Sequence, residues 1–314
     1  RRGLSVEEME GRAGSRAKEN AKFDKYGVVQ RVPSSEVSGA HRRAAVRMMY
    51  VDTLKLKADR QRVFKSRLVA RGDQDPRVGL ATSTANANHA GVRLAFAMAM
   101  AAGVYDPRNV AAGDVENAYL TAEQPDTVFA HPPPDHPDSG VYLWRLLRAV
   151  YGLQESGNLF WRRLGAALVR AGWVPLPGVE GVWWKWSGRP GATGSRLLGV
   201  LPVFVDDALC VGVHGRATEL LEQIARLDGA LTINVQPPTA LQPGGPLQLR
   251  WVGVDYELHT TWVGSSQSEY LRSLSVPEGP QPSQPLPGSV VGEPDESPLL
   301  AAGAACEGFR GLLG

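Results

Sequence analysis

The chain has 314 residues, 43% of them hydrophobic, and a formal net charge of +2, enough apolar material for one large or two medium globular domains. No apolar run reaches the roughly 18 residues needed to span a bilayer, and the first twenty residues lack an apolar signal-peptide core, so membrane-spanning and secreted classes are not expected. Cys210 and Cys306 stand far apart, which leaves no zinc spacing and no disulfide framework and points to a reduced, intracellular chain.

The first residue is Arg rather than Met, so a piece of a longer protein is expected. Residues 1–45 are polar, without strong periodicity, and read as helix and loop of uncertain order. From Val46, "VRMMYVDTLKLKADRQRVFKSRLVARGD" reads as two strands joined by a charged turn at Ala58 to Gln61. This hairpin carries a basic cluster, ten Lys or Arg against Asp52 and Asp59 between His41 and Gly72. Such a surface suits a polyanion, although a solvated face has the same composition. "HAGVRLAFAMAMAAG" predicts a buried helix closed by Gly103. "VAAGDVENAYLTAE" predicts a short strand entering a turn or helix at Asp114, and Pro125 to Asp138 reads as a loop, with His131 and His136 as surface residues.

"VYLWRLLRAVYGLQESG" predicts a strand and a turn. "NLFWRRLGAALVRAGW" then places Phe160, Leu164, Ala167 and Leu168 on one helical face, with Arg162, Arg163 and Arg170 elsewhere. "GVWWKWSG" and "LLGVLPVFVDDALCVGV" read as strands, and Trp183, Trp184 and Trp186 suit packing better than base stacking. "ATELLEQIARLDG" is an amphipathic helix with Ala217, Leu220, Leu221, Ile224 and Leu227 toward a core and Gly229 as its stop. After a break at Pro237 to Pro246, "LQLRWVGVDYELH" and "TTWVGSSQ" form a hairpin. Pro277 to Pro298 is a Pro-rich linker. Helices alternating with strand pairs indicate an α+β class.

Asp206 and Asp207 interrupt an apolar run where a buried strand has no reason to hold two carboxylates. They fit a tight turn between two strands, with Val203 to Val205 and Ala208 to Val211 as its flanks. For a lone pair of aspartates, a surface hairpin turn with no active role is the default reading. Asp114 interrupts a second apolar segment, and its plain alternative is a helix N-cap. Carboxylates on neighbouring strand ends form a hard-oxygen site for Mg²⁺, to which the backbone carbonyl of Val115 is a natural further ligand. Two such ions can activate a 3′-hydroxyl and stabilise departing pyrophosphate.

"VFKSRLVARGDQ", "DVENAYL", "LWRLLRAVYGLQESGNLFW", "VFVDDALCVG" and "WVGVDYELHTTWVGSSQSEYLRSL", in this order over Val46 to Ser275, resemble the reverse transcriptase domain of copia-type LTR retrotransposon polyproteins. The resemblance implies a right-hand polymerase with an antiparallel palm sheet flanked by helices. Residues 46–113 would form a fingers-like region and 114–275 a palm-like region that includes a primer-grip hairpin at 247–267. Residues 276–314 would be a linker and the start of the following region.

In that family the two catalytic metal ions are held at the positions of Asp114 and Asp206, with Asp207 in support of metal binding or turn geometry. Tyr119 matches an aromatic that stacks under the incoming sugar and excludes a 2′-hydroxyl, where the plain alternative is a core tyrosine. Lys65, Arg67 and Arg71 resemble the basic hairpin that grips the triphosphate. Tyr151, opening "YGLQESG", would border the nucleotide pocket and template, unless the segment is only a turn. Trp251, Gly253 and Tyr256 fall in the primer-grip resemblance, against an ordinary hairpin with both aromatics in a core.

The implied activity is RNA-directed DNA polymerisation with two Mg²⁺ ions, Mn²⁺ as substitute, on an RNA template with a DNA or RNA primer and dNTPs. No membrane partner is expected, whereas integrase and RNase H are expected on the full-length chain. The implied location is a cytoplasmic virus-like particle with a nuclear phase. The alternatives are a decayed or host-retained copy that binds nucleic acid without catalysis, and a two-metal nuclease that needs neither Tyr119 nor a primer grip.

Overall fold

The computed structural model describes residues 5–56, 62–212, 216–229 and 231–273. The charged turn expected at Ala58 to Gln61, the linker Pro277 to Pro298 and Cys306 lie outside the described residues. The chain divides into Arg1–Gln267 and Ser268–Gly314.

The N-terminal segment is more ordered than its polarity suggested. Helix α1 spans Val6–Lys25 and opens with a capping box, in which the Ser5 hydroxyl accepts from the Glu8 amide and the Glu8 carboxylate accepts from the Ser5 amide. Strand β1 (Val29–Pro33) and the short α2 (Gly39–Ala44) follow. The basic hairpin is β2 (Val46–Leu56) and β3 (Arg62–Ala70), paired from Met48–Ala70 to Leu56–Arg62. Helix α3 (His89–Ala101) is capped by the Asn88 side chain and ends at Gly103 in the left-handed region, as expected.

Asp114 does not open a turn. It lies inside β4 (Val110–Val115), and the chain turns at Asn117 before α4 (Ala118–Thr121). The first half of the loop expected at Pro125 to Asp138 is strand β5 (Glu123–His131), and the second half is loop. Its Pro125 is accommodated because the register against β6 (Tyr142–Arg148) shifts between Glu123 and Val128, where no ladder hydrogen bond is asked of the proline. Helix α5 (Ser156–Arg170) buries Phe160, Leu164, Ala167 and Leu168 as the spacing predicted.

Strands β7 (Val174–Pro175), β8 (Val182–Trp186), β9 (Leu197–Phe204) and β10 (Asp207–Gly212) lead to α6 (Ala217–Asp228). Gly229 stops α6 in the left-handed region, but Leu227 is exposed rather than inward, at the rim where the helix leaves the sheet. Strand β11 (Ile233–Gln236) completes one sheet, and β12 (Thr239–Ala240), β13 (Leu247–Trp251), β14 (Val254–Leu258) and β15 (Val263–Ser266) form another. The hairpin therefore lies within "LQLRWVGVDYELH", turning at Val252 and Gly253, both with positive φ as a two-residue hairpin turn requires. "TTWVGSSQ" supplies a third strand. In the second unit the described element is α7 (Ser268–Ser273).

The architecture is α+β with antiparallel pairing throughout, apart from a short parallel contact of β2 with β5. The sheet β11-β4-β10-β9-β8-β7 is buried on both faces, which explains why β4, β9 and β10 read as continuous apolar runs. Ala111, Val115, Ala208, Cys210, Leu201 and Val203 face α5 and α6. Val110, Ala112, Leu209, Val211 and Val200 face α3 and the β13–β14 hairpin. A separate core under β1-β6-β5-β2-β3 is covered by α1. Trp183 is buried against this framework and Trp184 packs edge-on to Trp186, in line with a packing role. No described helix is long and apolar enough to cross a membrane.

Candidate active site

The aspartate pair is split by the hairpin that carries it. Asp207 pairs with Phe204 across the β9–β10 ladder, so Val205 and Asp206 alone form the turn and Asp207 is the first residue of β10. Asp207 is also the direct ladder partner of Asp114 on β4. Directly opposed residues share a face with Cβ atoms about 5 Å apart, a placement that is destabilising for like charges. The Val115 amide donates to the Asp206 carbonyl at 2.9 Å, fixing the turn against the end of β4.

Val205 has φ +55, a left-handed conformation that costs a β-branched residue about 1–3 kcal/mol. The surroundings hold it there. Its amide donates to the Asn86 side-chain oxygen at 3.0 Å, and the Ala87 amide donates to the Val203 carbonyl at 2.8 Å. Gly181 lets this segment approach, since a Cβ there would meet the Ala87 nitrogen at 2.1 Å. Asn86 and Gly181 were not legible as site residues, because their partners lie far away in sequence and "TANAN" reads as polar loop.

Burial pushes the Asp206 carboxyl above its usual range, and the charge of Asp114 adds to the rise. Asp207 is pushed up to about 6, first by burial and then by Asp206 and Asp114. The three carboxylates thus sit half-buried, in mutual repulsion, and among the described residues no Lys or Arg lies within salt-bridge distance of them. Lys65 and Arg67 are the nearest compensation, and both pull the Asp206 carboxyl the other way. They alternate with buried Ser66 and Leu68 on β3, so both project from its exposed face. Burial, followed by Lys55 and Arg67, lowers the Lys65 ammonium.

Two tyrosines close this space. Tyr119 lies at the edge of the α5 core, 5.0 Å from the Tyr151 ring and 6.2 Å from Phe160. Its hydroxyl is raised by burial and then by the charge of Asp206. The Arg67 guanidinium stands 5.1 Å from the Tyr151 ring centroid, and burial pushes the Tyr151 hydroxyl up to about 12. Asp114, Asp206, Asp207, Lys65, Arg67, Tyr119 and Tyr151 therefore belong to one neighbourhood.

The other candidates stand elsewhere. Arg71 is held by both oxygens of Asp73 at 2.8 and 2.7 Å. Trp251 and Tyr256 are buried in the core, with Tyr256 against Phe96 at 5.9 Å, whereas the Val252–Gly253 turn and Arg250 of this hairpin are exposed. Burial pushes the Tyr256 hydroxyl up to about 12.

"YGLQESG" docks backbone to backbone on the end of β3. The Ala70 amide donates to the Tyr151 carbonyl at 2.8 Å, and Gln154 donates to the Gly72 carbonyl at 3.1 Å. Behind it Arg77 joins Asp75, Asp126 on β5 and Glu155 within the turn itself. Burial would raise the Asp75 carboxyl, but hydrogen bonds from Arg77 outweigh it and hold the group below its usual range. A lowered carboxyl contributes stability above its unfolded pKa, and that contribution is lost as pH falls through the folded value. Thermal melts between about pH 5 and pH 2 should therefore show a steeper loss in wild type than in Asp75→Asn. Parallel curves would remove Asp75 from this role.

Among the described residues no three His, Cys, Asp or Glu side chains are arranged to hold a metal ion unaided. Mg²⁺ does not require that: it is commonly bound by one or two carboxylates, with substrate phosphates and water completing its shell. Hard oxygen donors at the end of a buried hairpin, strained by their own repulsion, fit such an ion.

A family model described as reverse transcriptase (RNA-dependent DNA polymerase) matches residues 35–226, more than half of the chain and every element of this neighbourhood. The chain belongs to the reverse transcriptase family. It carries the RNA-directed DNA polymerase domain. A solved structure of a foamy viral protease-reverse transcriptase in complex with double-stranded DNA is similar at 11% identity and TM-score 0.46, over 88% of this chain and 38% of that one. The reverse transcriptase chain described here thus spans well under half the length of that protein. No curated protein matches it.

Proposed function

We propose that this chain is the reverse transcriptase of a copia-type retrotransposon and transfers a nucleotidyl group from a dNTP to a primer 3′-hydroxyl on an RNA template. The observation that carries the proposal is the placement of Asp206, beside Asp114 and within electrostatic reach of Lys65 and Arg67. One site then offers anionic oxygens for metal and cationic nitrogens for phosphate.

The Asp114 and Asp206 carboxylates, with the Val115 carbonyl, would hold two Mg²⁺ ions or Mn²⁺ in their place. When bound, these ions supply neutralisation of the attacking oxygen and of the departing pyrophosphate. Asp207 supports the pair from β10 through its ladder contact with Asp114. Lys65 and Arg67 receive the triphosphate from the opposite side, and Arg67 is oriented by the Tyr151 ring. Tyr119, propped by Tyr151 and Phe160, forms the floor under the sugar and excludes a 2′-hydroxyl. The Val252–Gly253 turn offers backbone, rather than the inward Trp251 and Tyr256, to the primer. Partner nucleic acids are held mainly through phosphates, with little sequence preference.

A labelled DNA primer annealed to RNA, incubated with the chain, dNTPs and Mg²⁺, should run longer on a denaturing gel. A shortened strand would indicate a nuclease. A bound but unchanged primer would indicate a copy that binds without catalysis.

A further inference from the structure

The neighbourhood of Asp206 leaves one strongly cationic cavity unused. It measures about 420 Å³ and is lined by Arg42, Arg43, Ala45, Arg47, Gln74 and His131. Three separate stretches converge on it: the end of α2 with the start of β2, the turn after β3, and the end of β5, where His131 lies beside Arg47 in the parallel register. All four of its basic side chains are exposed. Among the described residues no carboxylate lies within salt-bridge distance of Arg42, Arg43 or Arg47, although Arg16, Arg31, Arg71, Arg77, Arg163 and Arg170 are each paired. Arg42 donates to the Ser34 carbonyl at 3.2 Å, and among the described residues its side chain makes no other hydrogen bond. Three guanidiniums facing one space repel one another, and an anion with several oxygens relieves that repulsion through forked hydrogen bonds.

The pocket is connected to the polymerase site by the pleat. Residues two apart in a strand share a face, so Arg47 lies on the face of Met49 and Val51, whose partners on β3 are Val69 and Arg67. Lys65 continues the same face. Met49 and Val51 are about 40% exposed, large apolar side chains left at the surface between two basic groups. Arg47 and Val51 are separated by about 13 Å along the strand, a gap that a single strand of a few nucleotides bridges.

We propose that this pocket binds a backbone phosphate of a single-stranded nucleic acid, and that the exposed β2–β3 face carries the intervening nucleotides to Lys65 and Arg67. The proposal rests on the polymerase reading, from which it takes its ligand.

The test is anisotropy of labelled single strands of about 16 nucleotides and of a dinucleotide, titrated with the 314-residue chain between about 50 and 200 mM salt. Arg43→Ala/Arg47→Ala should bind the long strand about tenfold more weakly and lower the slope of log affinity against log salt by about 0.7 for each phosphate lost. Gln74→Glu, an exposed substitution that does not remove packing, should act in the same direction. Neither should alter binding of the short strand, which cannot span both places. If both variants keep wild-type affinity and slope for the long strand, the pocket assignment falls while the polymerase reading stands. If the wild type binds neither strand, the polymerase reading falls with it. If inorganic phosphate raises the wild-type Tm but not that of the variants, and strand binding is equal in all, the pocket takes free anions and the strand assignment is overturned.

Discussion

Asp206→Asn should lower primer extension by at least about a hundredfold, the scale on which a single electrostatic contact to a developing charge acts, while leaving the fold intact. The substitution is isosteric and the turn is held by backbone. The Asp206 carbonyl still accepts from Val115, and Asn86 still accepts from Val205. What disappears is a negative charge that burial and Asp114 already oppose. On the proposed reading, bound cations offset that charge. Without divalent ions, Asp206→Asn should therefore melt at a higher temperature than wild type, and Mg²⁺ should raise the wild-type Tm more than that of the variant. A variant that loses extension but melts below wild type would assign Asp206 a structural role instead.

The second large effect is on stability. Gly152 has φ +93, and a Cβ there would lie 2.1 Å from the Ala70 carbonyl oxygen, a backbone atom that cannot swing away. Gly152→Ala combines left-handed strain with overpacking, together about 2–4 kcal/mol. For a chain of this size that lowers Tm by about 5–15 °C. The cost falls on the docking of "YGLQESG" against β3, so the contact of Tyr151 with Arg67 loosens and KM for dNTP should rise along with the loss of Tm. Gly140→Ala is the control: its φ is +77 but its added Cβ would touch nothing, so it should cost only about 1–2 kcal/mol and leave KM unchanged. Equal losses in the two variants would show that the close approach at Gly152 carries no weight.

Much of this arrangement was legible because it is local. The helical face of α5 follows from the spacing of Phe160, Leu164, Ala167 and Leu168, and the alternation of Lys65 and Arg67 with Ser66 and Leu68 follows from strand period. Residues 1–45 read only as helix and loop of uncertain order, although the start of helix α1 was marked: "SVEE" is a capping box, overshadowed by the polar composition after it. The loop expected at Pro125 was an error of punctuation, since a bulge lets a strand pass through proline. The pairing of Asp207, rather than Asp206, with Asp114 depends on where a turn falls to the residue, which an apolar run does not encode. Asn86, Gly181 and the Arg77 network are contacts between distant segments, with no local pattern to mark them. Trp251 and Tyr256 matched a motif, but whether an aromatic faces a core or a ligand is decided by the helix packed behind it, here α3 with Phe96.

On the proposed reading the hairpin carboxylates form a site for two metal ions near a cationic strand. Counting Mn²⁺ bound to the chain by electron paramagnetic resonance, in the presence of primer–template and dNTP, tests this most directly. Wild type should bind two ions and Asp206→Asn fewer, with both proteins holding primer–template equally. Equal occupancy in wild type and Asp206→Asn, or none in either, would contradict the account.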